Sequence, residues 1–445
     1  MSKNTLVYFI AAIAALGGLL FGYDTGIIAT ALPYISKEWI LDDSSKEWVV
    51  SIVLLGGMLG ALLSSRFSDV LGRKKVNFIT GTLFAIASIL SYLAQDVSYL
   101  VVSRFLIGLA VGIASYAVPL YIAEIAPMAK RGGLVSLFQF AITIGIMLSY
   151  ICGYLFKDAD NNWRLMFLVG IIPALILMGG LFFLPETPRW LMSKGREAEA
   201  LAVLNSVEDD ENVQRAFDEI KASLQKEKNT QGSWAMLFSP KYRIPLMIGF
   251  GIFVIQQFSG INAVIYYAPE IFTAAGFESN ASFLATIGVG TVNVLATLFA
   301  LRYLDRWGRR PLLMAGMVGV IGALLVLSAS FYFSDALGDV AKWLSIGSVY
   351  LYIVFFAVSL GPLGWLLLSE VFPQKIRSYG MSLGSFSHWF NDFLVSFTFL
   401  SLKNSLGTSG TFMFYAGIVV FGLLVARRIV PETKGLSLEQ IEELW

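Results

Sequence analysis

Twelve runs of mostly apolar residues, each roughly 20 or more long, follow one another along this chain of 445 residues, and a run of that length crosses a bilayer as a helix. They are read as 6–35, 48–65, 76–95, 99–123, 134–156, 163–184, 244–272, 281–301, 311–333, 342–371, 379–401 and 411–429. The first is too long for a signal peptide and lacks a clear cleavage site, so it is read as a retained span. With 56% hydrophobic and 14% charged residues, the chain is not an ordinary soluble domain.

The second half repeats the signatures of the first. Pro185-Glu186-Thr187 closes the sixth run, and Pro431-Glu432-Thr433 closes the twelfth. Glu124, Pro127 and Arg131 end the fourth run with the spacing that Glu370, Pro373 and Arg377 show at the tenth. An Asp-x-x-Gly-Arg-basic block lies at Asp69–Lys74 and again at Asp305–Arg310. The offset is 236 residues for this last pair and 246 for the others. The expectation is an all-α membrane protein of twelve transmembrane helices in two pseudo-symmetric six-helix halves, 1–184 and 244–430. A cytoplasmic helical linker would fill 185–243 and a tail helix 431–445. Two such halves leave a natural site between them at mid-membrane depth, which is the architecture of a carrier.

Charge sets the orientation. Arg66, Arg73, Lys74, Lys75, Lys130, Arg131, Arg302, Arg306, Arg309, Arg310, Lys375 and Arg377 fall in the loops between even and odd runs. The opposite loops carry only Lys37, Lys46, Lys157, Arg164, Lys342 and Lys403. Positive charge marks the cytoplasmic side, so both termini are expected inside. In the linker, Val213, Phe217, Ile220 and Leu224 form one helical stripe within 212–228, and a second helix is expected over 196–207. In the tail, Ser437 and Gln440 form a capping box ahead of Ile441 and Leu444.

Composition also excludes. A net charge of +1 gives no reason to expect nucleic acid. One cysteine, Cys152, and one histidine exclude an internal disulfide, a cysteine metal site and a multi-histidine centre. No phosphate loop or nucleophile–base set is present, so no catalytic residue, metal or cofactor is expected.

Polar groups inside the spans are the informative ones, because a charge there is costly unless paired or wetted. Asp24 lies in the first run and Arg104 near the start of the fourth. By helical rise they sit roughly 16 and 8 Å below the same side, a gap that an arginine side chain can bridge. Asp24 is read as a proton carrier, held charged by Arg104; the alternative is a permanent structural pair. His388 and Asp392 are one turn apart in the eleventh run, either touching substrate or tuning a proton, or joining helices. The seventh run holds Gln256, Gln257, Gly260, Asn262 and Tyr266, where amides stand beside an approachable backbone. Sugar hydroxyls need such amides and sugar C–H faces need aromatic rings. Gln139 and Asn293 add amides, and Trp365 and Trp389 add rings. Amides also join transmembrane helices, the alternative reading.

The repeated charges at helix ends suggest a gate. Arg73, Glu124, Arg131, Glu186 and Arg189 are expected to pair in the first half, and Arg310, Glu370, Arg377 and Glu432 in the second. A network of such pairs biases a balanced two-state equilibrium even where single pairs are weak.

These motifs resemble the sugar porters of the major facilitator superfamily over essentially the whole chain. The resemblance rests on Asp69–Lys74, Pro185–Arg189, Gln256–Val264, Asp305–Arg310 and Pro431–Gly435. It extends to bacterial xylose– and glucose–proton symporters and human facilitative glucose transporters. It implies sugar contacts for Gln139, Gln256, Gln257, Asn262, Tyr266, Asn293, Trp365 and Trp389, with Phe21 nearby. It also implies that Asp24 and Arg104 match the proton-coupling pair of the bacterial symporters. Facilitative human members typically have Asn where Asp24 stands, which favours symport. His388 and Asp392 depart from the family, whose members usually carry Asn or Gln at the first position and often Asn at the second.

The function expected is therefore proton-coupled monosaccharide symport by alternating access. Its partners are a monosaccharide, protons and the lipid bilayer, and it acts as a monomer. The short outer loop and tails look bacterial, placing it in the inner membrane. A facilitative uniporter and a transporter-like sugar sensor are the alternatives.

Overall fold

A backbone in hydrocarbon must satisfy its own N–H and C=O groups, so the apolar runs fold as helices. The computed structural model describes residues 2–127, 130–229, 233–373, 375–434 and 440–441, and no strand occurs among them. The first five runs are α1 (Lys3–Trp39), α2 (Asp43–Leu71), α3 (Arg73–Tyr92), α4 (Val97–Ile125) and α5 (Arg131–Phe156). Asp96 caps α4, accepting from the Tyr99 amide at 2.8 Å. The sixth run is interrupted at Gly170 into α6 (Asn162–Val169) and α7 (Ile171–Phe183).

The linker holds α8 (Pro188–Ser193), α9 (Glu197–Val207), α10 (Val213–Asn229) and α11 (Trp234–Leu237). Both expected linker helices are present with nearly the expected bounds. The stripe of Phe217, Ile220 and Leu224 packs on Trp190, Leu191, Met192 and Ala200. Trp190 Nε1 donates to the Asp69 carbonyl at 3.0 Å, and Lys3 Nζ pairs with Asp210 at 2.6 Å. The linker thus docks on the ends of α2 and α1.

The seventh run breaks twice, into α12 (Arg243–Phe258), α13 (Ile261–Tyr266) and α14 (Ala268–Ala274). Gly260 makes the first break with φ 87°, and a Cβ there would lie 2.6 Å from the Tyr415 ring. Only glycine fits both demands. Next come α15 (Ser279–Trp307), α16 (Arg309–Tyr332) and the short α17 (Ser334–Leu337). The tenth run is α18 (Asp339–Val358) and α19 (Leu360–Val371), broken at Ser359.

Among the described residues, eleven helices are long and apolar enough to cross a membrane. The twelfth crossing is inside the last of them. Helix α20 (Arg377–Ile429) has 53 residues, but its backbone leaves the helical region at Gly407, with φ 72° and ψ 166°. Unbroken it would run about 80 Å, against about 30 Å of hydrocarbon. The break makes it the eleventh and twelfth spans. Of the expected tail helix, Gln440 and Ile441 are helical; Ser437 and Leu444 lie outside the described residues.

By packing, the chain forms two compact units. One comprises Met1–Asp24, Leu55–Ile146 and Arg164–Gln231; the other comprises Thr25–Leu54, Met147–Trp163 and Gly232–Trp445. In the first, small residues bring helices close: Gly56 and Gly60 of α2 face the backbone of α4, and Gly22 of α1 faces Ile142 of α5. In the second, Tyr352 of α18 is fully buried and its hydroxyl lies 3.0 Å from that of Ser259, just before the Gly260 break.

Candidate functional site

Two polar constellations lie within the spans. The first is an ion pair. Arg104 Nη1 of α4 donates to Asp24 Oδ1 of α1 at 3.0 Å, with side-chain exposures of 0% and 4%. The guanidinium carbon also lies 5.6 Å from the centre of the Phe167 ring. Tyr23, next to Asp24, donates its hydroxyl to the Met166 carbonyl at 2.6 Å, pinning α1 at this level. Arginine keeps its charge in proteins, so Asp24 is the member of the pair that can gain or lose a proton.

The second constellation is a network of amides and imidazole where α12, α13, α19 and α20 meet. Gln256 Nε2 donates to the carbonyls of Leu360 at 2.7 Å and Gly361 at 3.2 Å, just past the break at Ser359. Gln257 Nε2 reaches Gln256 Oε1 at 3.2 Å and His388 Nδ1 at 3.0 Å. Asn262 Nδ2 donates to Gln257 Oε1 at 2.8 Å. His388 Nδ1 also lies 3.2 Å from Gln256 Oε1, so its tautomer decides whether it accepts from Gln257 or donates to Gln256. The break at Gly260 is what turns Asn262 back onto Gln257.

Aromatic rings wall this network. Trp365 packs edge-on against Phe253 at 4.8 Å and tilted against His388 at 4.9 Å, and it remains 37% exposed. Trp389 is buried, its ring 5.5 Å from that of His388. The spacing of His388 and Asp392 places them on one helix face, but they do not bond each other. Asp392 instead accepts from Ser396 Oγ at 3.2 Å, with the Asn262 amide beside it. Tyr266 is buried on α13, and Asn293 is buried on α15 without a hydrogen bond to this cluster. Gln139 on α5 and Phe21 on α1 are half-buried and belong to the other unit.

The chain is similar to known proteins along nearly its whole length. Residues 10–445 match the family model described as sugar (and other) transporter. The galactose–proton symporter of Escherichia coli is 41% identical over 450 residues, covering 99% of this chain and 95% of that one. The D-xylose transporter of Levilactobacillus brevis is 39% identical, covering 98% and 94%. Among solved structures, the proton:xylose symporter XylE bound to 6-bromo-6-deoxy-D-glucose aligns with a TM-score of 0.85 at 33% identity, over 100% of both chains. This chain belongs to the sugar porter family of the major facilitator superfamily. It is a membrane transporter and not an enzyme.

The porter's repeated charge blocks form two clusters of nearly the same design. In the first, Arg73 Nη2 donates to Glu124 Oε1 at 3.0 Å, and Thr187 Oγ1 donates to Glu124 Oε2 at 2.6 Å. In the second, Arg309 Nη2 donates to Glu370 Oε1 at 3.3 Å, and Thr433 Oγ1 donates to Glu370 Oε2 at 2.5 Å. Glu186 and Glu432 do something else. Each accepts backbone amides at the start of a helix: Arg73 and Lys74 on α3, Arg309 and Arg310 on α16. A carboxylate there satisfies orphan N–H groups and meets the positive end of the helix dipole.

Several expected pairings therefore need correction. Arg309, passed over in the sequence, takes the role given to Arg310, whose Nη2 binds the Arg427 carbonyl at 2.7 Å. Glu186 and Glu432 are helix caps more than partners of guanidinium groups. Arg189 does pair with Glu124 as expected, at 3.9 Å, and also binds Ser223. Arg131 is exposed and outside the cluster, while Arg377 Nε binds the Phe372 carbonyl at 3.1 Å. The two caps differ electrically. Burial pushes the Glu186 carboxyl above its ordinary value, only partly offset by amides from Thr187, Lys74 and Arg73. Burial also acts against the charge on Glu432, but amides from Lys434, Arg309, Arg310 and Thr433 leave it below its ordinary value.

The sequence reading also missed Glu47. It is buried on α2, accepting the Ser401 amide at 2.7 Å and the Ser401 hydroxyl at 2.8 Å. Beside it, Asn404 Nδ2 donates to Asp43 at 2.7 Å. The only signal in the sequence was a carboxylate immediately before an apolar run, which also reads as an ordinary helix end.

Proposed function

We propose that this porter is a proton-coupled monosaccharide symporter in which Asp24 carries the proton and Arg104 is its counter-ion. The observation that carries this reading is the fully buried Asp24–Arg104 pair at 3.0 Å. A permanent buried pair is a weak source of stability, whereas a carboxylate that exchanges its arginine for a proton couples charge to movement. The substrate is taken by the Gln256, Gln257, Asn262 and His388 network, with Trp365 and Trp389 offering ring faces. The relatives' names, galactose–proton symporter and D-xylose transporter, support a monosaccharide.

Transport proceeds by alternating access. Proton and sugar load on the outer side, and the charge clusters around Glu124 and Glu370 hold helix ends together until inward opening parts them. The porter works as a monomer in the bacterial inner membrane with both termini cytoplasmic. The test is uptake of radiolabelled D-galactose, D-xylose and D-glucose into proteoliposomes, with and without an inward proton gradient. Accumulation that requires the gradient supports symport. Equilibration that ignores it makes the porter a uniporter and Asp24 structural. No uptake of any of the three by folded protein removes the monosaccharide reading for these substrates.

A further inference from the structure

Asp392 is a buried carboxylate of a different kind from Asp24. Only 4% of it is exposed, and among the described residues no cation pairs with it. Its partners are the neutral donors Ser396 Oγ and the Asn262 side chain. An ionised carboxylate held only by neutral donors in a membrane span is costly, and a proton removes that charge.

The neighbouring titratable groups on α20, α13 and α2 leave the charge uncompensated. On α20 itself the titratable group is His388, whose Nδ1 is engaged with Gln257 and Gln256. On α13 it is Tyr266. Tyr267, just after α13, sends its hydroxyl to the Ser396 carbonyl at 3.3 Å. Glu47 of α2 meets α20 at Ser401, nine residues or about 13 Å further along. Among the described residues no lysine or arginine pairs with the Asp392 carboxylate.

Asn262 joins this carboxylate to the sugar-binding network. A primary amide has two N–H groups. One Asn262 N–H goes to Gln257 Oε1 at 2.8 Å, and the amide also serves Asp392. An ionised Asp392 draws the second Asn262 N–H toward itself, which leaves the half-buried amide only its oxygen for an incoming hydroxyl. A protonated Asp392 has its own O–H and needs one donor fewer. We infer that Asp392 is a second proton site, inside the sugar-binding cluster, whose protonation releases an Asn262 N–H to the sugar and tightens sugar binding. The inference rests on the sugar-binding reading of this cluster.

The test uses the full chain in lipid nanodiscs, in an Asp24→Asn background that removes the proposed proton carrier. Binding of D-galactose, D-xylose and D-glucose is followed by tryptophan fluorescence, because Trp365 and Trp389 flank the site. Linkage to one proton weakens binding by up to about tenfold per pH unit, so Kd should rise about tenfold or more from about pH 5 to about pH 8. Asp392→Asn, a fixed neutral side chain, should bind tightly at both ends with a change under about twofold. Asn262→Ala should bind weakly throughout and lose the slope. Asp392→Glu should keep a slope with a shifted midpoint, which decides the matter if Asp392→Asn does not fold. Infrared difference spectra should show a carboxylic-acid band that titrates in the parent and disappears in Asp392→Asn. A slope that survives Asp392→Asn, or a midpoint unmoved in Asp392→Glu, overturns the inference alone. Absence of binding by all three sugars at every pH removes the sugar-binding reading, and this inference with it.

Discussion

Arg104 and Asp24 meet at 3.0 Å with both side chains buried, although they are 80 residues apart on different helices. Breaking one side of such a pair leaves an uncompensated charge, so Arg104→Met should destabilise the porter by about 3–5 kcal/mol. Asp24→Asn should be milder, and Asp24→Asn with Arg104→Met should recover much of the loss. Thermal unfolding in detergent checks the order. In proteoliposomes, Asp24→Asn should still exchange sugar across the membrane but not accumulate it under a proton gradient.

The duplicated clusters predict an unequal result for two adjacent arginines. Arg309→Ala removes the guanidinium that holds Glu370 and should cost about 1.5–3 kcal/mol, comparable to Arg73→Ala. Arg310→Ala leaves its backbone amide on Glu432 and loses a more exposed contact, so it should cost under about 1 kcal/mol. Melting temperatures of the three variants decide whether position 309 or 310 matches Arg73.

The helix caps predict opposite responses to pH. The Glu432 carboxyl sits below its ordinary value, so its contribution is present above the unfolded pKa and lost as pH falls through the folded one. The Glu186 carboxyl sits above its ordinary value, so its contribution is present below the unfolded pKa and lost as pH rises through the folded one. Relative to the parent, Glu432→Gln should therefore flatten the acid side of a melting-temperature profile. Glu186→Gln should remove the decline that Glu186 adds as pH rises. Identical profiles for the two variants would contradict the difference in their surroundings.

At the break in the seventh span, Gly260→Ala adds a Cβ at a backbone φ of 87° and 2.6 Å from the Tyr415 ring. The backbone strain alone is worth about 1–3 kcal/mol. Tyr415→Leu should relieve the steric part and leave the strain, so the double variant should melt between Gly260→Ala and the parent. Sugar binding should fall in Gly260→Ala as well, because the break orients Asn262.

Gln257 occupies the centre of the amide network, touching Gln256, Asn262 and His388. Gln257→Leu leaves those groups without their partner. A site built to hydrogen-bond loses about 1–3 kcal/mol for each buried group left unmatched, so sugar affinity should drop by roughly ten- to a hundredfold. Equilibrium binding measures this, with melting temperature as the control for folding.

Much of this was legible in the chain because it depends on length and repetition. An apolar run of bilayer length has few alternatives, and Pro185-Glu186-Thr187 recurring as Pro431-Glu432-Thr433 exposes the doubled plan. The linker helices were legible from the stripe through Phe217, Ile220 and Leu224. Breaks inside spans were harder to read: Gly361-Pro362 stands just after Ser359, but Pro33 and Pro119 lie inside unbroken helices, so a breaker residue alone does not locate a break. Arg309 and Arg310 are adjacent bases whose roles differ only by the direction each leaves the helix. The glutamates showed their position but not their partners, since a carboxylate suits a guanidinium and a helix N-terminus equally well. Glu47 and Ser401 are 354 residues apart, a pairing that no local pattern encodes.

The capping carboxylates also set a timetable for biosynthesis. The amide of Lys74 waits for Glu186, 112 residues later, and that of Arg310 waits for Glu432, 122 residues later. At about 5–20 residues per second, a ribosome needs about 6–24 s to deliver each glutamate. Throughout that interval the first turns of α3 and α16 have only water or lipid headgroups for their amides. The caps of α3 and α16 are therefore completed only as Glu186 and Glu432 leave the ribosome, and the nascent chain waits for the same kind of contact twice.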